Sequence, residues 1–172
     1  PSLYLSENGF DVPGCGWDSL PCRTYTTYVN SSSTRVHLLT GSYTTNKPVS
    51  FESDFSLSGD GTDKSIVTAE TGTVYSIASG KTLQLSDLQF TGDSDQPLND
   101  HLLSSEDGYV TLKNVLFCSL TIDGAPLFCV AKSRQSLSMD SVVFDQVSRS
   151  DVISSASSSS AGASLFVVEY DS

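Results

Sequence analysis

The chain has 172 residues, a length that favours one domain able to bury a sizeable core. Its formal net charge of −11 argues against polyanionic partners, nucleic acid and anionic membrane above all. Apolar residues, 38% of the chain, are spread along its whole length and argue against disorder, while abundant Ser and Thr with scarce Lys, Met and Trp favour strands and turns over helices.

The chain opens at Pro1 with neither an initiator Met nor a charged-then-apolar signal segment, so it is expected to be a processed or excised piece. Leu3–Ser6 reads as a strand, followed by a Gly/Pro-rich loop that carries Cys15 and Cys22. Pro21–Val29 is expected to form a short helix, capped by Asp18 or Ser19 with Pro21 in its first turn, and Tyr25, Tyr28 and Val29 on one face. Such a helix would plug one end of a stack of strands and protect their edges. Asn30-Ser31-Ser32 follows, a single N-glycosylation sequon in a polar turn. Residues 1–34 therefore read as an N-terminal cap. Strands are expected at Arg35–Leu39, Val49–Phe51 and Phe55–Leu57, with turns at Thr40-Gly41 and Gly59–Gly61.

From residue 73 to 144 the chain repeats. Lys81–Phe90, Tyr109–Phe117 and Gln135–Phe144 each end in Phe, and Phe90, Phe117 and Phe144 are 27 residues apart. Leu85, Leu112 and Met139 keep the same interval, as do Leu83, Val110 and Leu137. Three positions in phase over three units mark a true repeat. Period-two alternation within each unit is the pattern of a strand with one buried face. A second apolar segment precedes each, at Val74–Ile77, Leu102-Leu103 and Leu127–Val130, after which come turns at Ser79-Gly80, Asp107-Gly108 and Lys132-Ser133. A unit this short cannot close its own core and must stack on its neighbours. The Leu/Asn consensus of a leucine-rich repeat is absent, and a propeller blade needs about 40 residues. The expected fold is all-β: a right-handed parallel β-helix, a single domain with stacked coils over 35–172 and inward Phe side chains in a ladder. Beyond Phe144, Asp151–Ile153 matches the first segment of a coil. Leu165–Tyr170 matches the second, Phe166 lying 27 after Met139, with a Ser-rich tract at Ser154–Ser160 between them. The last coil is expected to end without a cap.

These features, with Leu3–Ser6, the Cys15…Pro21-Cys22-Arg23-Thr24 segment, Val36–Tyr43 and Phe55–Gly61, resemble the pectin-lyase-like parallel β-helix superfamily. Within it the chain looks most like the repeat-rich, adhesin-like surface proteins of microbes and protists. The Gly-Gly-Ala-Ile tetrapeptide of bacterial polymorphic outer-membrane proteins is missing. The resemblance implies a fold; function must come from a site.

Four cysteines allow three pairings. The local pairs Cys15–Cys22 and Cys118–Cys129 are expected, with buried free thiols the alternative for the second. Disulfides place the chain in an oxidising compartment. His37, in a strand and facing outward, and His101, beside Asp100, show no catalytic partner in the sequence. The acid–base signatures of β-helix hydrolases and the calcium-binding Asp cluster of pectate lyases are missing too. The acidic runs Asp60–Asp63 and Asp93–Asp95 read as solvated turns, so no metal or cofactor is expected. No stretch approaches the ~20 apolar residues that span a bilayer. The function expected is therefore a non-enzymatic, secreted or cell-surface glycoprotein, adhesin-like or filament-forming through its open end, with Asn30 as the glycan acceptor. Its partners would be glycans, other surface proteins or further copies, reached from loops such as Thr91–Asp100 and Ser119–Pro126. The competing class is a carbohydrate-active β-helix enzyme with an atypical site, a lyase or glycoside hydrolase.

Overall fold

The computed structural model describes residues 2–70, 74–93, 95–123, 127–131, 137–149 and 166–169. The described residues form an all-β parallel solenoid with one short helix. The first coil contributes β1 (Leu3–Leu5) and then α1 (Tyr25–Tyr28); the second β2 (Arg35–Leu38), β3 (Gly41–Thr45) and β4 (Val49–Phe51). The third holds β5 (Phe55–Gly59), β6 (Ser65–Ala69) and β7 (Tyr75–Ile77); the fourth β8 (Thr82–Gly92) and β9 (Leu103–Glu106). The fifth holds β10 (Tyr109–Cys118), β11 (Thr121–Ile122) and β12 (Phe128–Ala131). The last holds β13 (Leu137–Asp140), β14 (Val143–Asp145), β15 (Ser148–Arg149) and β16 (Phe166–Glu169).

Every pairing between these strands is parallel, and the coils present three faces. The first runs β1-β2-β5-β8-β10-β13; the second runs β3-β6 and continues through the later halves of β8 and β10 to β14; the third runs β4-β7-β9-β12-β16. Register follows the inward side chains. Val36, Leu57, Leu85, Leu112 and Met139 form one column, and Phe55, Leu83, Val110 and Leu137 a second. Tyr43, Val67, Phe90, Phe117 and Phe144 form a third, so the expected Phe ladder is present. The apolar segments expected ahead of each repeat meet on the third face, where Tyr75, Leu103 and Phe128 are in register.

The sequence reads two strands per repeat because β8 and β10 bend from one face to the next without a Gly or Pro to mark the corner. Asp87, Asn114 and Ser141 make that corner with φ of 55°, 50° and 55°. Non-glycine residues rarely take this left-handed conformation, and short polar side chains tolerate it best because they bond locally. Asn114 Nδ2 donates to Asp87 Oδ1 at 2.8 Å, so the corners of successive coils are tied together. Ser119 and Gln146 repeat the device at the next corner, with φ of 52° and 54° and a 3.2 Å bond between Ser119 Oγ and Gln146 Oε1. Gly59 sits at a close approach of two coils: a Cβ there would lie 2.5 Å from the Asp87 carbonyl oxygen.

The capping helix is shorter than expected. It starts at Tyr25 after Thr24, not at Pro21 after Asp18 or Ser19, and no side chain caps it. The reason is a competing use of the preceding backbone: Cys22 lies alongside Leu5 as a parallel bridge, donating to the Tyr4 carbonyl at 3.1 Å and accepting from Ser6 N–H at 2.9 Å. Pro21 and Cys22 are therefore extended. The expected face survives: Tyr25 and Val29 are buried, Tyr28 packs against the core, and the Tyr25 ring lies 6.4 Å from that of Tyr43 on β3.

The other end differs in two ways. Met139 keeps its register with Leu112 yet is 45% exposed. Phe166 does not continue the Met139 column; it pairs with Phe128 on the third face, so the described part of the expected second segment, Phe166–Glu169, corresponds to the first apolar segment of a coil. The interval of 27 from Met139 to Phe166 therefore does not mark equivalent positions in two coils. Asp151–Ile153 and Ser154–Ser160 lie outside the described residues.

Candidate functional site

Alternation sends every second residue of the first face outward, and parallel stacking aligns these residues in columns. One column comprises Tyr4, His37, Ser58, Ser86, Lys113 and Asp140; beside it stand Arg35, Ser56, Gln84, Thr111 and Ser138. His37 thus faces outward as expected, but stacking supplies the partners that the linear sequence does not reveal. Its Nδ1 lies 2.8 Å from Ser58 Oγ and its Nε2 lies 3.0 Å from Asp60 Oδ1, with the Tyr4 ring 5.5 Å away. Asp60 Oδ2 accepts from Thr40 N–H at 2.7 Å and from its hydroxyl at 3.0 Å. Aligning Arg35–Leu38 with Ser56–Gly59 would have found Ser58; nothing in a 27-residue period does, since Val36 and Leu57 are 21 apart.

A neutral imidazole that donates from Nε2 to Asp60 can accept the Ser58 hydroxyl proton on Nδ1. The contact order Ser–His–Asp is that of a nucleophilic triad, and acyl transfer also needs backbone or side-chain donors aimed at the developing oxyanion. The nearby amides are committed: Asp60 N–H to Ser65 Oγ at 2.9 Å, Gly61 N–H to the Asp87 carbonyl at 2.9 Å, and Thr40 N–H to Asp60 itself. The network ties the second coil to the third.

Next to it on the same face opens a cleft of about 540 Å³ lined by Thr34, Arg35, Asp54, Ser56, Thr82 and Gln84. Asp54 Oδ1 accepts the Thr82 N–H at 2.9 Å, which fixes the carboxylate in the cleft lining. Among the described residues Arg35 has no carboxylate within ion-pair distance. Guanidinium, carboxylate, amide and hydroxyls thus share one concave, rigidly backed surface.

Two carboxyls hold low pKa values. Burial pushes Asp60 up, but the bonds from His37 and from the Thr40 side chain and backbone outweigh it and hold the group below the usual carboxylate range. Asp11 is lowered by the Thr24 hydroxyl, then by the Thr24 and Arg23 amides, the latter two at 3.0 and 2.8 Å. A carboxyl depressed in the folded state adds stability above its unfolded pKa and loses it as pH falls through the folded value. Thermal stability is therefore expected to fall as pH drops below about 4, and Asp60→Asn with Asp11→Asn should flatten that limb of the melting-temperature profile.

Of the cysteines, Cys15 and Cys22 are bonded, with Cα atoms 5.1 Å apart. The expected Cys118–Cys129 bond is not formed: Cys118 is a free, half-buried thiol 3.4 Å from Ser119 Oγ. It follows inward Phe117 on β10 and so lies on the outer side of its strand, whereas Cys129 belongs to β12 on another face, and its side chain lies outside the described residues. His101 sits in a loop with Nε2 3.9 Å from Asp100 Oδ1. In the acidic run beyond Gly92, Asp93 Oδ1 accepts the Asp95 N–H at 3.0 Å, turn chemistry within the loop. Among the described residues no three His, Cys, Asp or Glu side chains gather to hold a metal, and no helix is long and apolar enough to cross a membrane. Of the two loops expected to carry ligand contacts, Ser94 and residues 124–126 lie outside the described residues, while Leu98 is buried and bridges to Ile122. Comparison with protein-family models, with curated proteins and with solved structures returned no match.

Proposed function

We propose that this chain is a non-enzymatic extracellular surface protein, an adhesin-like β-solenoid of the pectin-lyase-like kind that binds glycans on the outer face of its first sheet. The observation that carries the reading is the polar cleft beside His37, where Arg35, Gln84, Ser56 and Asp54 supply donors and acceptors suited to sugar hydroxyls. The Cys15–Cys22 bond fits an oxidising compartment. A rigid ladder of strands fixes the backbones that carry these groups, so binding orders side chains such as Arg35 and Gln84 but not the chain itself.

A glycan array with the intact chain tests it, followed by titration of the best ligand. Arg35→Ala and Gln84→Ala are each expected to weaken binding roughly tenfold or more, the loss of one charged or polar contact. Asp54→Asn, which retains the acceptor for Thr82 N–H, should separate recognition from folding. Binding unchanged in all three variants would move the site elsewhere, and no binding to any glycan would sink the adhesin reading. The competing enzyme reading draws on Ser58, His37 and Asp60. Turnover of a polysaccharide or its esters that disappears in Ser58→Ala would establish it in place of ours.

A further inference from the structure

We propose that Asn30 is N-glycosylated through its side-chain Nδ2, by transfer from a lipid-diphosphate-linked oligosaccharide. The chain has one Asn-X-Ser/Thr sequon, so the assignment involves no choice among sites. Asn30, Ser31 and Ser32 are all exposed. Asn30 Oδ1 accepts from Ser32 N–H at 3.0 Å and from Ser32 Oγ–H at 2.6 Å. Both donors draw charge onto the carboxamide oxygen and ease loss of a proton from Nδ2. That nitrogen makes one long bond, 3.4 Å to the Tyr28 carbonyl, and is otherwise open for attack.

The step balances within this chemistry. Nδ2 attacks the anomeric carbon of the donor sugar, and the bond from that carbon to the diphosphate oxygen breaks. The lipid diphosphate leaves with the electron pair, and the amide proton passes to a base of the transferase. The turn is closed by bonds among residues 28 to 33 alone, with Ser33 N–H on the Asn30 carbonyl at 2.9 Å, so it can form before any coil has stacked. Asn30 also lies two residues past α1, which packs against β3, the first strand of the second face.

The inference rests on the secretory location proposed above, so its test imposes translocation. The full chain behind a cleavable secretion signal is translated with endoplasmic-reticulum microsomes. The expected result is a shift by one glycan in the protease-protected product, removed by a peptide N-glycosidase that converts Asn30 to Asp. Asn30→Gln and Ser32→Ala should lose the shift, and Ser32→Thr should keep or raise it. Microsomes need only the nascent turn, so a variant that fails to fold is still read correctly. A translocated wild-type chain with no glycan overturns the inference and leaves the surface-protein reading untouched. Fractionation of the native chain tests that reading separately.

Discussion

Replacing Phe117 by Ala is expected to destabilise the solenoid by about 3–5 kcal/mol, the range for emptying a fully buried aromatic site. Phe117 is 0% exposed and sits mid-ladder, stacked on Phe90 at 5.6 Å and on Phe144 at 5.1 Å, with Phe128 edge-on at 5.1 Å. Truncation removes three ring contacts at once and leaves a cavity that neighbouring coils, fixed by their own ladders, cannot collapse to fill. Urea unfolding should show a lower midpoint at unchanged slope. Phe144→Ala should cost less, since Phe144 is only partly buried. Phe10→Ala, at 66% exposure, should stay within about 0.5 kcal/mol of wild type. A loss below about 1 kcal/mol for Phe117→Ala would remove the ladder from its central place in the core.

Opening the Cys15–Cys22 bond is the second large effect. Closing a loop of seven residues in sequence stabilises by about 2–3 kcal/mol through the unfolded chain. The bond also holds structure directly. Cys22 is fully buried, and its backbone bonds to Tyr4 and Ser6 pin the loop under the first rung. Reduction should therefore lower the melting temperature by roughly 5–10 °C for a chain of this size. Cys15→Ala/Cys22→Ala should reproduce the drop and be indifferent to reductant. Cys118→Ala should keep the full response to reductant, because that thiol is free. A wild-type melt unmoved by reductant would deny the bond any part in holding the cap.

The division between what was legible in the chain and what was not follows from the range of the forces involved. Side-chain alternation and the interval of 27 are properties of local backbone and of equal coil length. The strands at Thr82–Gly92 and Tyr109–Cys118, the Phe90/Phe117/Phe144 ladder and the buried face of the Tyr25–Val29 segment could therefore be read before any fold was known. Corners were invisible: Asp87, Asn114 and Ser141 are ordinary polar residues in composition, and only the close return of the chain forces them into positive φ. Helix length was misjudged because Cys22 spends its backbone on Leu5, a contact across the loop. The same limit hid the candidate site. The coils before residue 80 differ in length, so no period aligns His37 with Ser58, or Arg35 with Ser56 and Gln84. Sequence by itself determined a stacked parallel β-architecture, because hydrophobic periodicity is written along the chain, whereas the choice between a bonded Cys15–Cys22 and a free Cys118 came from the structure. Only the tertiary structure decided which polar side chains share the outer face, because parallel stacking takes each neighbour from a different coil.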